Sequence, residues 1–280
     1  MINFIYSEKG AFKIKMFLEN LPKTLSENKT VFVVKYKLDE DLVAINKIIE
    51  EQTVLPKECF YIKKENEFDF KEYFIAILSG IQEELVCFLT TDCIFIDEFD
   101  KNKIEKTFMN EPALFSFSLK LGKNIVKNTK VGAKNILIPT EEKDGVVLYD
   151  WSKHYVDFGD PFNLHGNVLR RKEILKFSRN LKFNDIFTLE DEMGVFMNFP
   201  KNIAACFEDS KMFLIDVKYH TDIFHLFREL LDKRIVTGTF EEETDIIHPN
   251  IIETIEQDIL IEAFKKINWN EKLEELKNKV

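Results

Sequence analysis

Short apolar runs alternate with helically spaced ones along the first hundred residues. INFIYS (2–7) is a compact apolar run, broken by SEKG, and AFKIKMFLENL (11–21) then spaces its apolar residues as a helix does. TVFVVKYK (30–37) is β-branched and aromatic and predicts a strand. LVAINKIIEEQ (42–52) returns to helical spacing, and ECFYIKK (58–64) is a candidate third strand. In FDFKEYFIAILSGIQ (68–82), Phe70, Tyr73, Phe74, Ile77, Leu78 and Ile81 share one helical face. LVCFLTTD (85–92) then reads as a strand that ends on polar residues. This alternation predicts a largely parallel sheet covered by helices.

Beyond Asp100 the pattern loosens. KNKIEKTFMN is a short helix and ALFSFSLK (113–120) a strand, while residues 130–151 mix strand with an exposed turn at EEKDG. KEILKFSRNL (172–181) is helical, and NIAACF and MFLIDVKY are strand candidates. DIFHLFRELLDKRIV (222–236) is an amphipathic helix, followed by the acidic linker TGTFEEETDIIHPN (237–250). A further amphipathic helix carries Ile252, Ile255, Ile259, Phe264 and Ile267 on one side. Residues 1–236 are accordingly expected to form the main domain, with a change of pattern near 100, and 237–280 a linker and helical extension. The apolar side of that extension needs a partner, and a second copy of the chain would supply one.

The strand ending at LTTD raises a question of chemistry. An unpaired carboxylate in a buried strand costs several kcal/mol. A strand that stops at the sheet's carboxyl edge instead delivers its last polar side chain to the crevice where α/β proteins hold ligands. Asp92 then suits a divalent cation and a diphosphate, since Mg²⁺ and Mn²⁺ favour carboxylate and phosphate oxygens; a turn or cap aspartate is the plainer alternative. DFGDPFNLHGNVLRRKEI (157–174), turned by Gly159, Pro161 and Gly166, packs Asn163, His165, Asn167, Arg170 and Arg171 into nine residues, suited to sugar hydroxyls and phosphate, or else to a solvated helix start. In DIFTLEDEMG (185–194), Glu190, Asp191 and Glu192 offer a general base, or else an acidic helix N-terminus.

Charge and cysteine usage narrow the classes. The 280-residue chain has a net charge of −10, which disfavours nucleic acid as a partner. Its four cysteines form no Cys-x-x-Cys pair and read as small buried hydrophobes of a reducing compartment. No apolar window reaches transmembrane length and no signal peptide is visible, so a cytoplasmic protein is expected, with peripheral membrane contact compatible. The 27 phenylalanines against 9 glycines suggest an AT-rich bacterial or phage genome.

In order along residues 1–235, these segments resemble a GT-A fold glycosyltransferase, closest to the family-2-like bacterial enzymes that use nucleotide-sugar donors. FIYSEKG and VFVVKYKLDED correspond to the strand-loops that cradle the nucleotide, VCFLTTDCIFID to the strand ending in an Asp-x-Asp-type motif, and HGNVLRRKEI with FNDIFTLEDEMG to the arginine-led helix and Glu-Asp base motif. The resemblance implies a Rossmann-like mixed α/β fold with a mostly parallel central sheet flanked by helices, residues 1–100 being its nucleotide-binding half and 101–236 its acceptor half. It implies an inverting transfer of sugar from a nucleotide diphosphate to the hydroxyl of a glycan or lipid-linked acceptor, in bacterial surface glycan synthesis. Tyr6, Ser7, Tyr36, Asp39 and Asp92 fall around the nucleotide; His165, Gly166, Asn167 and Arg170 around sugar and acceptor. Asp191 falls at the base position, with Glu190 as alternate. The sequence departs from the family in one respect: Thr91-Asp92-Cys93-Ile94 has one acid where the motif usually has two. Metal binding then rests on Asp92, with His220 a weaker ligand candidate. Two other functions compete: a sugar nucleotidyltransferase, against which FIYSEKGAFK has only one glycine, and a non-catalytic nucleotide-sugar-binding protein, which the reduced motif favours.

Overall fold

The amino-terminal apolar run forms a fully buried strand, β1 (Ile2–Ser7), and helical and strand segments then alternate as the spacing predicts. A computed structural model describes residues 1–8, 11–36, 39–52, 57–63, 70–125, 139, 142–154, 156–195 and 201–214. After β1 come α1 (Ala11–Glu19), α2 (Lys23–Ser26), β2 (Thr30–Tyr36), α3 (Asp39–Gln52), β3 (Lys57–Lys63), α4 (Phe70–Gly80), β4 (Leu85–Thr90) and β5 (Cys93–Phe95). The second half adds α5 (Lys101–Asn110), β6 (Leu114–Ser118), β7 (Glu142–Lys143), β8 (Val146–Asp150), β9 (Asn167–Arg170), α6 (Arg171–Ser178), α7 (Ile186–Val195), β10 (Ile203–Phe207) and β11 (Met212–Leu214).

Nine strands make one sheet in the order β3-β2-β1-β4-β9-β6-β10-β8-β7, and β5 pairs with β11 in a separate ribbon. β3, β2, β1 and β4 are mutually parallel; only β9 and β8 run against the other strands of the large sheet. The chain is a mixed α/β fold with a mostly parallel central sheet flanked by helices. The order reverses between β1 and β4, because β2 and β3 are added on one side of β1 and β4 on the other. Such a switch point opens a crevice at the carboxyl ends of the two strands.

Strand residues alternate between two cores, as a period of two requires. Ile5, Phe32, Val34, Cys87 and Leu89 pack with Ile14, Phe17, Ile45 and Ile104 from α1, α3 and α5. Phe4, Tyr6, Val33, Val86 and Phe88 pack with Phe74, Leu78, Ile174 and Leu189 from α4, α6 and α7. The second core is rich in rings: Phe74 lies 5.4 Å from Phe4, 5.6 Å from Phe183 and 6.1 Å from Phe88, centroid to centroid. The helical face expected of α4 is observed at Phe70, Phe74, Ile77 and Leu78, whereas Tyr73 is 40% exposed. Tyr73 precedes Phe74 by one residue, and roughly 100° of helical rotation takes it to the margin of the apolar stripe.

All described residues lie in the first of two compact units, Met1–Leu214; the second is Ile215–Val280. The expected helix at 222–236, the linker at 237–250 and the C-terminal helices, with their proposed role in self-association, lie outside the described residues. Among the described residues no helix is long and apolar enough to cross a membrane.

Two outcomes follow from this packing. Phe74→Ala is expected to destabilise the protein by about 3–5 kcal/mol in urea unfolding, because it empties a ring-sized space in a closed core; a cost below about 1 kcal/mol would contradict the packing. Burial pushes the thiols of Cys93 and Cys206 up to about 12 and raises that of Cys87 as well. Ellman's reagent at pH 8 is therefore expected to label Cys59 at most in native protein and all four thiols after unfolding. Rapid native labelling of three would overturn the assignment.

Candidate active site at the carboxyl edge of the sheet

β4 stops at Thr90, and Thr91 and Asp92 form the turn into β5. Asp92 therefore sits at the carboxyl end of a central strand, half-buried, and not within it. Thr91 donates its N–H to Tyr6 O at 3.2 Å, and its hydroxyl lies 3.0 Å from that of Ser7, so the ends of β1 and β4 are tied together. Tyr6 is buried on the α7 side of the sheet, and its hydroxyl donates to Glu8. Tyr36 ends β2, half-buried, and Asp39 opens α3.

His165 and Gly166 arrive at the same edge from the other direction. Because β9 runs antiparallel to β4, with Asn167 opposite Phe88 and Arg170 opposite Leu85, the residues just before β9 lie at the carboxyl end of β4. Gly166 makes the turn with φ +85°, donates to Phe88 O at 2.8 Å and accepts from Leu119 N at 2.8 Å. The His165 ring then meets β4 directly: Nδ1 lies 3.0 Å from the Thr90 hydroxyl. Its Nε2 lies 3.3 Å from Glu190 Oε2, and the other oxygen of Glu190 accepts from the backbone N–H of Leu164. Phe187, one turn earlier on α7, lies against the imidazole at 5.4 Å and against Tyr6 at 6.2 Å.

The result is a hydroxyl–imidazole–carboxylate chain across β4, the pre-β9 loop and α7. In the tautomer with its proton on Nε2, the ring donates to the carboxylate and Nδ1 accepts from the Thr90 hydroxyl. Both His165 nitrogens are thus engaged, while each Glu190 oxygen keeps lone-pair capacity for a further proton donor. The pair is largely but not wholly enclosed, the side chains being 10% and 17% exposed.

Several sequence expectations need correction. Arg170 does not join this edge. The segment expected to run as a loop into a helix is strand β9, and its four residues carry Arg170 to the amino end of β4, roughly 17 Å from Thr90 at 3.3 Å per residue. There its guanidinium pairs with Glu84 at 3.1 Å and donates to Phe108 O at 2.6 Å, closing the end of α5. Asp191 lies in α7 but is exposed: Ile186, Leu189 and Met193 face the core, and helical rotation turns Asp191 to the opposite side and Glu190 toward His165. The three acids do not form a helix N-terminus either, since α7 begins at Ile186 and has no acid in its first turn. Asn167 is buried in β9, where its amide nitrogen reaches Pro161 O at 3.5 Å and its Oδ1 has no partner among the described residues. It belongs to the wall behind His165.

Residues that the motifs did not single out complete the edge. Thr90 anchors the imidazole, Phe187 covers it, and Lys35 lies buried at the end of β2 between Glu8 (3.5 Å) and Asp185 (3.8 Å). The visible signal for Lys35 is a lysine within the apolar run TVFVVKY; for Asp185 it is the Asp-x-x-Thr spacing of a helix cap.

Among the described residues no group of three His, Cys, Asp or Glu could hold a metal ion. Asp92 offers one carboxylate, so a cation held there would need the rest of its shell from ligand oxygens and water. His220 lies outside the described residues.

No protein-family model and no curated protein matches the chain. Among solved structures it is similar to S. aureus TarS 1–349 in complex with UDP, at 15% identity over 87% of this chain and 68% of that one, with a TM-score of 0.46. It is also similar to HddC from Yersinia pseudotuberculosis (10% identity, 82% and 99% covered, TM-score 0.44) and to UDP-glucose pyrophosphorylase complexed with UDP-glucose (12%, 82% and 99%, 0.41). None of these likenesses assigns an activity to this chain.

The backbone at Gly166 yields a direct test. A β-carbon there would lie 2.3 Å from Met212 Sδ, and the positive φ resists any other side chain. Gly166→Ala is expected to cost about 1–3 kcal/mol in urea unfolding. A neutral or stabilising substitution, the usual outcome where alanine fits, would contradict the turn geometry.

Proposed function

We propose that this chain binds a nucleotide-diphosphate sugar where β1 and β4 end and transfers the sugar to the hydroxyl of a glycan or lipid-linked acceptor. The observation that carries this reading is the placement of Asp92 two residues from Thr90, whose hydroxyl holds the His165–Glu190 pair. A single sheet edge thereby brings a carboxylate suited to a cation-bound diphosphate together with a carboxylate suited to accept a proton.

In this reading Glu190, and not Asp191, is the base. The acceptor oxygen attacks the anomeric carbon as its proton passes to Glu190, and the bond from that carbon to the diphosphate oxygen breaks. Attack from the face opposite the departing diphosphate inverts the centre. His165 and Leu164 N–H hold Glu190 in place, so the carboxylate does not have to be ordered during the reaction. A divalent cation, Mn²⁺ or Mg²⁺, bound through Asp92 would supply positive charge for the departing diphosphate. Tyr6 and Ser7 border the nucleotide end of the crevice, with Tyr36 and Asp39 beyond them at the end of β2 and the start of α3.

The test is incubation with UDP-, GDP-, CDP- and dTDP-sugars, with and without Mn²⁺, following nucleoside diphosphate release. Release by slow hydrolysis or by transfer is expected. Glu190→Gln is expected to lower it by about 10²–10⁴-fold while donor binding persists, and Asp191→Asn to retain it. Asp92→Ala is expected to weaken nucleoside diphosphate binding in calorimetry by about tenfold, the loss of one favourable contact of about 1.4 kcal/mol. The opposite pattern at 190 and 191 would return the base to Asp191. Formation of nucleoside triphosphate from a nucleotide sugar and pyrophosphate would assign nucleotidyl transfer instead, and binding without turnover would assign a binding protein.

A further inference from the structure

Lys35 is the one residue of β2 whose charge is buried against two acids at the site's edge. Its side chain is 2% exposed, with Nζ 3.5 Å from Glu8 Oε1, 3.8 Å from Asp185 Oδ2 and 5.8 Å from the centre of the Phe70 ring. A buried ammonium is tolerated only where carboxylates face it, and those carboxylates are fixed by it in turn.

Asp185 is also the cap of α7. Its Oδ1 accepts from Thr188 N at 2.7 Å and from the Thr188 hydroxyl at 2.8 Å, and its carbonyl accepts from Leu189 N at 3.1 Å. In return the Thr188 oxygen accepts from Asp185 N at 3.1 Å. This reciprocal cap sets the first turn of α7, and Glu190 follows Thr188 by two residues. One oxygen of Asp185 thus winds the helix while the other faces a cation that belongs to the sheet.

We propose that Lys35 is a positioning residue for the Glu190–His165 pair: through Asp185 it fixes the start and rotation of α7 relative to β2, and so the place of the Glu190 carboxylate against the imidazole held by β4. This rests on the reading of that pair as the site's proton-handling group. The path from Lys35 to the pair runs through its contact with Asp185 and the cap that Asp185 makes. The sheet end of the pair is held by Thr90, the helix end by Lys35.

The test reads geometry without any substrate. Protein carrying ¹⁵N-labelled histidine has five imidazoles, and His165→Asn identifies the signals of His165. Glu190→Gln then marks where the Nε2 resonance moves when the carboxylate is removed. Lys35→Met, which removes the charge and keeps the length, is expected to carry that resonance most of the same way. Asp185→Asn, which keeps a capping oxygen but loses its charge toward Lys35, is expected to move it in the same direction. A lysine that only supports the fold would lower the melting temperature and leave the His165 signals at their wild-type positions; that result in folded Lys35→Met protein overturns the proposal. Should Lys35→Met not fold, Asp185→Asn decides alone: an unmoved resonance overturns the proposal, a moved one supports it. Because no nucleotide or acceptor is present, failure of the sugar-transfer reading would leave this measurement intact and separately interpretable.

Discussion

One pair of backbone hydrogen bonds fixes the candidate site. Gly166 gives its N–H to Phe88 and takes that of Leu119, both at 2.8 Å, in a left-handed conformation. These bonds stitch the residue before β9 between β4 and β6 and bring His165 within reach of Thr90. Around that imidazole, β4 supplies the hydroxyl and α7 the carboxylate and the Phe187 ring. Loss of the Gly166 turn would separate the elements even if each kept its own secondary structure.

The same antiparallel strand sorts the charged residues of its segment by edge. Residues before β9 reach the carboxyl edge and serve the site; residues after it reach the amino edge and serve the scaffold. Arg170 donates to Phe108 O at the end of α5, Arg171 donates to Leu78 O near the end of α4 at 2.9 Å, and Lys71, from α4, donates to the C-cap carbonyl of α6, Arg179 O, at 3.1 Å. Each cation meets carbonyls that a helix C-terminus leaves unpaired, where positive charge is favoured. The arginine-led start of α6 therefore holds three helices in register and offers no guanidinium to a phosphate.

The parallel half was legible because its signals are local. Buried parallel strands read as continuous apolar runs, helices as spaced ones, and β1 to β4 with their helices follow those periods closely. Asp92 at a strand end was legible for the same reason. β9 was not, because four residues, Asn167 to Arg170, carry no period that a loop could not mimic, and their pairing with β4 joins positions some eighty residues apart. That one hidden strand moved Arg170 to the far edge. The choice between Glu190 and Asp191 was also beyond the sequence, since adjacent helical residues differ only by rotation, and rotation is set by Ile186, Leu189 and Met193 packing on the sheet. Lys35 was not legible either, because the partner that gives it a role, Asp185, lies 150 residues later in the chain.

The proposed ligand crevice lies between the carboxyl ends of β1 and β4. Hydrogen–deuterium exchange with and without a saturating nucleoside diphosphate measures this without assuming turnover. Binding there is expected to slow exchange in the peptides covering Thr90–Cys93 and Leu164–Asn167 and to leave the amino-edge peptides around Asn28 and Arg170 unchanged. Protection at the amino edge, with exchange at Thr90–Cys93 unaltered by any bound nucleotide, would contradict it.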